Sequence, residues 1–273
     1  MNKLFLKKYK IKDFNLFCKS NYGVLYKATS EIYGPVIIKA NKDSENYKNS
    51  CKYYNMFNNL PLCKMYAHYD KEQIQVLEFI NGNKLFDIKE FNLRLRISYN
   101  YLKKWSNNLN QVEDETMLFE HKVSHIIKRI NEIDLEDNII ELIDSFESMS
   151  KHFFENYNNL YLIHGDLHHD NMIYDGNDIT AIDLSPEIAS FAIEVAKFIE
   201  NELFMDVDNI NRILDKILEV FKFDIINEKE LLEGLFIDSC YRTFDSLFEN
   251  GKNNDFEKGI YMNKCILNYI KSR

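Results

Sequence analysis

Tyr161-Leu-Ile-His-Gly-Asp-Leu-His-His-Asp-Asn-Met-Ile173 gathers more residues able to do chemistry than any other stretch of the chain. An apolar run delivers His164-Gly165-Asp166, and Asn171 lies five residues after that aspartate. A second apolar run, Ile179-Thr-Ala-Ile182, leads into Asp183, seventeen residues past Asp166. Two carboxylates and an amide at these intervals suit phosphoryl transfer from a nucleotide. That reaction needs a carboxylate to orient the attacking hydroxyl and accept its proton. It also needs an amide and a second carboxylate to hold metal ions that bridge the phosphates. The Asp-x-x-x-x-Asn interval lets one loop present both groups to one pocket, and a following hairpin would bring Asp183 alongside.

The string HGDLHHDN, followed by AIDLSP, resembles the aminoglycoside phosphotransferase family, the small-molecule branch of the protein-kinase-like fold. The doubled His168-His169 is most similar to its streptomycin and hydroxyurea kinase branch. Residues 194–203 (EVAKFIENEL) and 246–251 (SLFENG) resemble segments that follow the metal aspartate there. The resemblance covers most of the chain and is weak between residues 90 and 157. It implies that Asp166 is the catalytic base, that Asn171 and Asp183 are magnesium ligands, and that His164 braces the loop. Lys39, ending Val-Ile-Ile-Lys, resembles the strand lysine that pairs with the α- and β-phosphates. Ser20-Asn21-Tyr22-Gly23 stands where a phosphate-covering loop belongs. It has one glycine instead of several, but backbone N–H groups from such a loop can still line phosphates. Glu78-Phe79-Ile80 matches the hinge, where backbone groups of Glu78 and Ile80 would meet a purine.

Each of these residues also has a plainer reading. Asp166 and Asn171 could be turn-formers. Asp183 could cap a helix entered at Ser185-Pro186-Glu187. Lys39 could be a solvated edge-strand lysine. The joint spacing between two strands favours the active-site reading. One departure is plain: the usual distance from Lys39 to a partner glutamate falls on Cys51, and Glu45 is the nearest carboxylate before it. Either Glu45 pairs with Lys39 or that ion pair is missing.

A zinc hydrolase is the rival reading of His164-x-Asp166-x-His168-His169. Such sites draw further histidines from later in the chain, and none of the seven follows His169. His121 and His125 share a helical face but lack the glutamate of the metalloprotease motif. His168 and His169 are then loop residues near the substrate with no assigned chemistry.

The elements that must position these groups divide the chain. Residues 21–27, 34–40 and 73–80 read as strands rich in aromatic and β-branched residues, and Asn81-Gly82-Asn83 as a turn. Residues 44–60 carry a helical pattern. Beyond Leu85, long amphipathic segments dominate, near 92–110, 115–132, 138–157, 187–204, 209–223, 228–249 and a last one ending near Ile270. In the segment 228–249, Asp238, Arg242 and Asp245 recur opposite an apolar stripe; they could hold a cationic substrate, but read rather as its solvated face.

The chain has 273 residues with 34 Lys and Arg against 43 Asp and Glu, a net charge of −9. That balance argues against gripping nucleic acid or anionic lipid, both of which need a basic patch. It suits a cationic small-molecule substrate. Five scattered cysteines without a Cys-x-x-Cys pair read as reduced thiols. No apolar run is long enough for a signal peptide or a membrane span, so a cytoplasmic protein is expected.

Together these features lead to one expectation: an α+β, two-lobed protein-kinase-like fold. A small β-rich lobe over residues 1–80 would cover the nucleotide, residues 81–84 would form the hinge, and a helical lobe over residues 85–273 would carry the catalytic loop. The expected activity is magnesium-dependent transfer of the γ-phosphoryl group of ATP or GTP to a hydroxyl of an aminoglycoside-like antibiotic. The alternatives are a kinase of a metabolic alcohol such as choline or a sugar, and a nucleotide-binding pseudokinase without turnover. Cys51 and the sparse glycine loop motivate the last.

Overall fold

A computed structural model describes residues 3–20 and 23–273. In chain order the elements are α1 (Lys3–Lys8), β1 (Ile11–Lys19), β2 (Gly23–Ser30), β3 (Gly34–Asn41), α2 (Ser44–Tyr53), β4 (Met65–Tyr69), β5 (Ile74–Glu78) and β6 (Asn83–Lys84). Next come α3 (Phe91–Ser106), α4 (Phe119–Ile130), α5 (Asp137–Asn156), β7 (Tyr161–Ile163), β8 (Met172–Tyr174), β9 (Ile179–Ala181) and β10 (Glu187–Ala189). Four helices complete the chain: α6 (Phe191–Met205), α7 (Ile210–Val220), α8 (Glu228–Asn250) and α9 (Asn254–Lys271). The architecture is mixed α+β, as expected. The chain forms two compact units, residues 1–87 with 170–186, and residues 88–169 with 187–273. The segment 170–186 therefore groups with the N-terminal residues and not with the helices that flank it in sequence.

The first unit is built on an antiparallel five-stranded sheet of order β1-β2-β3-β5-β4. Period-2 alternation sorts β3 cleanly. Val36 and Ile38 are fully buried with Ile74, Val76, Phe5 and Tyr9, while Ile37 and Lys39 turn to the other face. Helix α2 starts where Asp43 caps it, its carboxylate accepting from the backbone N–H groups of Glu45 (2.9 Å) and Asn46 (3.0 Å). The helical pattern read over residues 44–60 is realised as α2 followed by a 3-10 turn at Tyr54–Phe57. A second, three-stranded sheet of order β6-β8-β9 belongs to the same unit. Backbone bonds from Cys63 N–H to the Ala181 carbonyl and from Ala181 N–H to the Pro61 carbonyl, both 2.8 Å, tie β9 to the segment before β4.

The second unit is helical around a core of large aromatics, among them Trp105, Phe119, Phe146, Phe198 and Phe236. Its two-stranded sheet pairs β7 with β10. Here the structure corrects the expected helix from residue 187: Glu187–Ala189 pairs with Tyr161–Ile163, and α6 begins only at Phe191. Ser190 is its cap, accepting from Ala192 N–H at 3.1 Å, so Asp183 caps no helix.

Candidate active site

In the first unit, β3, β5, the 81–84 segment and the β8–β9 hairpin wall a cavity of about 560 Å³. Lys39, Glu78, Ile80, Asn171 and Asp183 all line it. Gly23 does not. It is buried at the start of β2, where a Cβ would lie 2.7 Å from the Ala40 carbonyl oxygen. Asn21 and Tyr22 of the expected phosphate loop lie outside the described residues.

Lys39 and Asp183 form a direct ion pair, and the Lys39 side chain is only 12% exposed. Asp183 reaches this position with a left-handed backbone, φ +59°, a conformation costly for a residue with a Cβ. The Asn171 carbonyl accepts from Ile182 N–H at 2.9 Å, which fixes the two candidate metal ligands side by side on the hairpin. Glu45 sits exposed in the first turn of α2, and no bond joins it to Lys39. The question left by the sequence is thus answered: Asp183, not a helix carboxylate, holds the lysine.

Gln75, the cross-strand neighbour of Lys39, and Tyr47 of α2, whose hydroxyl donates to Asp70 at 2.8 Å, tie α2 to the sheet. The buried Gln75 amide donates to Ser50 Oγ at 3.0 Å and reaches Cys51 Sγ at 3.6 Å, and its carbonyl accepts from Asn41 Nδ2 at 3.2 Å. At the end of β5, the Glu78 carboxylate accepts from Lys64 N–H at 3.1 Å, and Glu78 N–H donates to the Lys64 carbonyl at 2.8 Å. Glu78 is therefore a structural clamp on β4. Gly82 permits the crossing that follows, since a Cβ there would lie 2.5 Å from the Tyr174 carbonyl oxygen.

In the second unit the loop after β7 is held from beneath. Glu194, fully buried on α6, accepts from His164 N–H (3.1 Å) and Gly165 N–H (3.2 Å). Burial pushes its carboxyl up to about 8 against the pull of Lys197 and the two amides. His164 packs edge-on to Trp105, and its Nδ1 accepts from Asp166 N–H at 3.3 Å. Gly165 takes φ +80°, which the turn requires.

The Asp166 side chain, 38% exposed, faces His168 Nε2 at 3.4 Å and Arg242 at 3.5 Å. Its partial burial opposes ionisation, but His168 and Arg242 hold the carboxyl well below the usual range. His169 departs from the expected loop role. It is fully buried, stacked 4.9 Å from Phe198, with Nε2 bonded to Glu202 at 2.7 Å. Glu202 in turn accepts both forks of Arg94, at 2.8 and 2.7 Å.

Sequence reasoning also missed the charges beneath Asp166. Asp238 and Arg242 are not a solvated face: Asp238 is fully buried against Lys197 (2.9 Å), and Arg242 bridges Asp238, Glu200 and Asp166. The available signal was in α6, where Glu194, Lys197 and Glu200 interrupt an otherwise apolar run. Charges so placed are buried only in pairs.

Asn171 and Asp183 offer hard oxygen donors, the type magnesium takes. Magnesium is commonly held by one or two carboxylates with the rest of its shell from phosphates and water. Among the described residues no cluster of three His, Cys, Asp or Glu that could hold a metal is present. Nor, among them, is any helix long and apolar enough to cross a membrane.

No family model and no curated protein matches the chain. Solved structures match along nearly its whole length. The choline kinase LicA from Streptococcus pneumoniae shares 13% identity over 99% of both chains, with a TM-score of 0.70. A choline/ethanolamine kinase family protein from Mesorhizobium loti shares 10% identity over 98% of this chain and 90% of its own, with a TM-score of 0.72. The aminoglycoside phosphotransferase APH(4)-Ia, solved with ADP and hygromycin B, shares 12% identity over 98% of this chain and 97% of its own, with a TM-score of 0.66. These structural neighbours have the protein-kinase-like fold, and the chain is similar to them in fold.

Proposed function

We propose that this protein is a small-molecule kinase that transfers the γ-phosphoryl group of ATP or GTP to an alcohol. The observation that carries the reading is the Lys39–Asp183 ion pair with Asn171 on the wall of the same cavity. A cation suited to phosphates beside two oxygen donors suited to a metal supports this reading. The fold likeness to choline, ethanolamine and aminoglycoside kinases supports it.

In this reading residues 1–80 cover the nucleotide, residues 81–84 act as hinge, and residues 85–273 bring the acceptor. The backbone at Glu78 and Ile80 meets the purine, and Lys39 pairs with the α- and β-phosphates. Asn171 and Asp183 would hold magnesium, which when bound bridges the phosphates and offsets the charge that develops on transfer. Asp166 orients the acceptor hydroxyl and takes its proton. A carboxylate of low basicity suits a loose transition state, in which proton transfer comes late.

The first acceptor class is an aminoglycoside-like, cationic antibiotic, on the strength of the HGDLHHDN string. The second is a metabolic alcohol such as choline, favoured by the end-to-end match to the pneumococcal choline kinase. Incubation with magnesium and labelled ATP or GTP across streptomycin, hygromycin B, choline, ethanolamine and simple sugars tests both. A phosphorylated product identifies the class by mass. Nucleotide-dependent thermal stabilisation with no product on any acceptor would support a pseudokinase instead.

A further inference from the structure

The two oxygens of Asp166 are approached from opposite sides by basic groups: His168 Nε2 lies 3.4 Å from Oδ2, and an Arg242 terminal nitrogen lies 3.5 Å from Oδ1. Both distances sit at the outer limit of hydrogen bonding, so the attraction is mainly Coulombic. His168 is on the same short loop as Asp166. Arg242 is not; it projects from α8, 76 residues away in sequence.

A chain of buried charges fixes that guanidinium. Arg242 Nε lies 3.1 Å from Asp238 Oδ2 and 3.2 Å from Glu200 Oε2. The other Asp238 oxygen accepts from Lys197 Nζ at 2.9 Å, and Lys197 also lies 3.5 Å from Glu187. Asp238 and Lys197 are no more than 1% exposed. An arginine fork held on one edge by two buried carboxyl groups has little freedom at its other end.

We propose that Arg242 is a positioning residue for the reaction. Anchored through Asp238 and Glu200 to Lys197, it fixes the Asp166 carboxylate in one orientation. This rests on Asp166 being the base of the proposed kinase. The role belongs to α8 of this chain and to no part of the HGDLHHDN string. Without the fork the carboxylate can turn about its last bond and take a proton from water, and an acceptor hydroxyl meets it in productive geometry less often.

The test uses the full chain with Arg242→Met and Arg242→Lys, and two readouts. Turnover is followed with magnesium ATP and whichever of streptomycin or choline the parent phosphorylates. Arg242→Met should lower kcat about tenfold or more with the nucleotide KM within about twofold, and Arg242→Lys should recover part of the loss. The second readout needs no turnover: coupling of a carbodiimide and glycine ethyl ester to Asp166 at mildly acidic pH, mapped by peptide mass. Coupling requires the protonated carboxyl, so Arg242→Met should raise its rate about tenfold, the effect of one unit of carboxyl pKa on the protonated fraction.

Equal Asp166 labelling in parent and Arg242→Met would overturn the proposal. So would a loss of turnover that only tracks the loss of folded protein. Should Arg242→Met fail to fold, Arg242→Lys decides alone, and parent-like labelling and kcat in it are the overturning result. A parent that phosphorylates no acceptor refutes the kinase reading, while the labelling still reports whether Arg242 governs Asp166.

Discussion

Lys39 and Asp183, 144 positions apart in sequence, meet as a direct ion pair inside one compact unit. Each satisfies the other's charge where neither has another charged partner among the described side chains. A phosphate group and a metal ion would replace that single contact with two, one for each residue.

Lys39→Met should therefore weaken magnesium ATP binding by about tenfold or more, about 1.4 kcal/mol, as read by titration calorimetry. The unfolding temperature should change by only a few degrees, because the lysine belongs to the cavity face of β3 and not to its core face. Parent-like affinity in this variant would remove Lys39 from the phosphate site.

Asp166→Asn keeps the shape of the side chain and removes its basicity. Turnover should fall by about a hundred- to ten-thousand-fold while nucleotide affinity stays near the parent value. Steady-state kinetics paired with calorimetry checks both halves, and undiminished turnover would sink the assignment.

Glu194 makes a pH prediction with a definite sign. Its folded carboxyl is raised to about 8, above the range it has in an unfolded chain. The folded state thus holds a proton that the unfolded state has released between about pH 4.5 and 8, and stability falls as pH rises through that window. The melting temperature should drop by a few degrees from pH 5.5 to 8.5, about 2–4 °C for each kcal/mol lost. Glu194→Gln should reduce that slope, and Glu200, also raised to about 8 by burial, supplies part of the remainder. Asp166 and Glu202, whose carboxyls are held low, act only at the acid end.

Gly82→Ala places a methyl group 2.5 Å from the Tyr174 carbonyl oxygen, a backbone atom that cannot step aside cheaply. A loss of about 1–3 kcal/mol is expected, with weaker nucleotide binding because the same segment walls the cavity. Thermal unfolding and calorimetry measure the two effects, and a neutral outcome would mean the 81–84 segment is free to shift.

The candidate catalytic loop stood out because its chemical groups are adjacent in sequence, and most strands and helices were legible because their periods are local. The failures share a cause. Glu187–Ala189 looks like the first turn of a helix, and only pairing with Tyr161–Ile163 makes it a strand. Asp238 and Arg242 fall on the polar side of α8, and a helical period cannot say that α6 brings Lys197 and Glu200 against that side. Gln75 gave no signal because a glutamine in a strand is chemically mute until its partners are known. The short strand β4 and the exposed β1 have weak patterns, since little of either is fully buried.

The neutral clamp from Gln75 to Ser50 and Cys51 has a consequence for ionic strength. Salt screens charges and leaves amide and hydroxyl dipoles almost untouched. An ion pair in that place would loosen in a saline medium. Here the Gln75 contacts to α2 are insensitive to salt, while charged contacts such as Lys39–Asp183 and Tyr47–Asp70 feel it. Brine and fresh water should meet the same clamp.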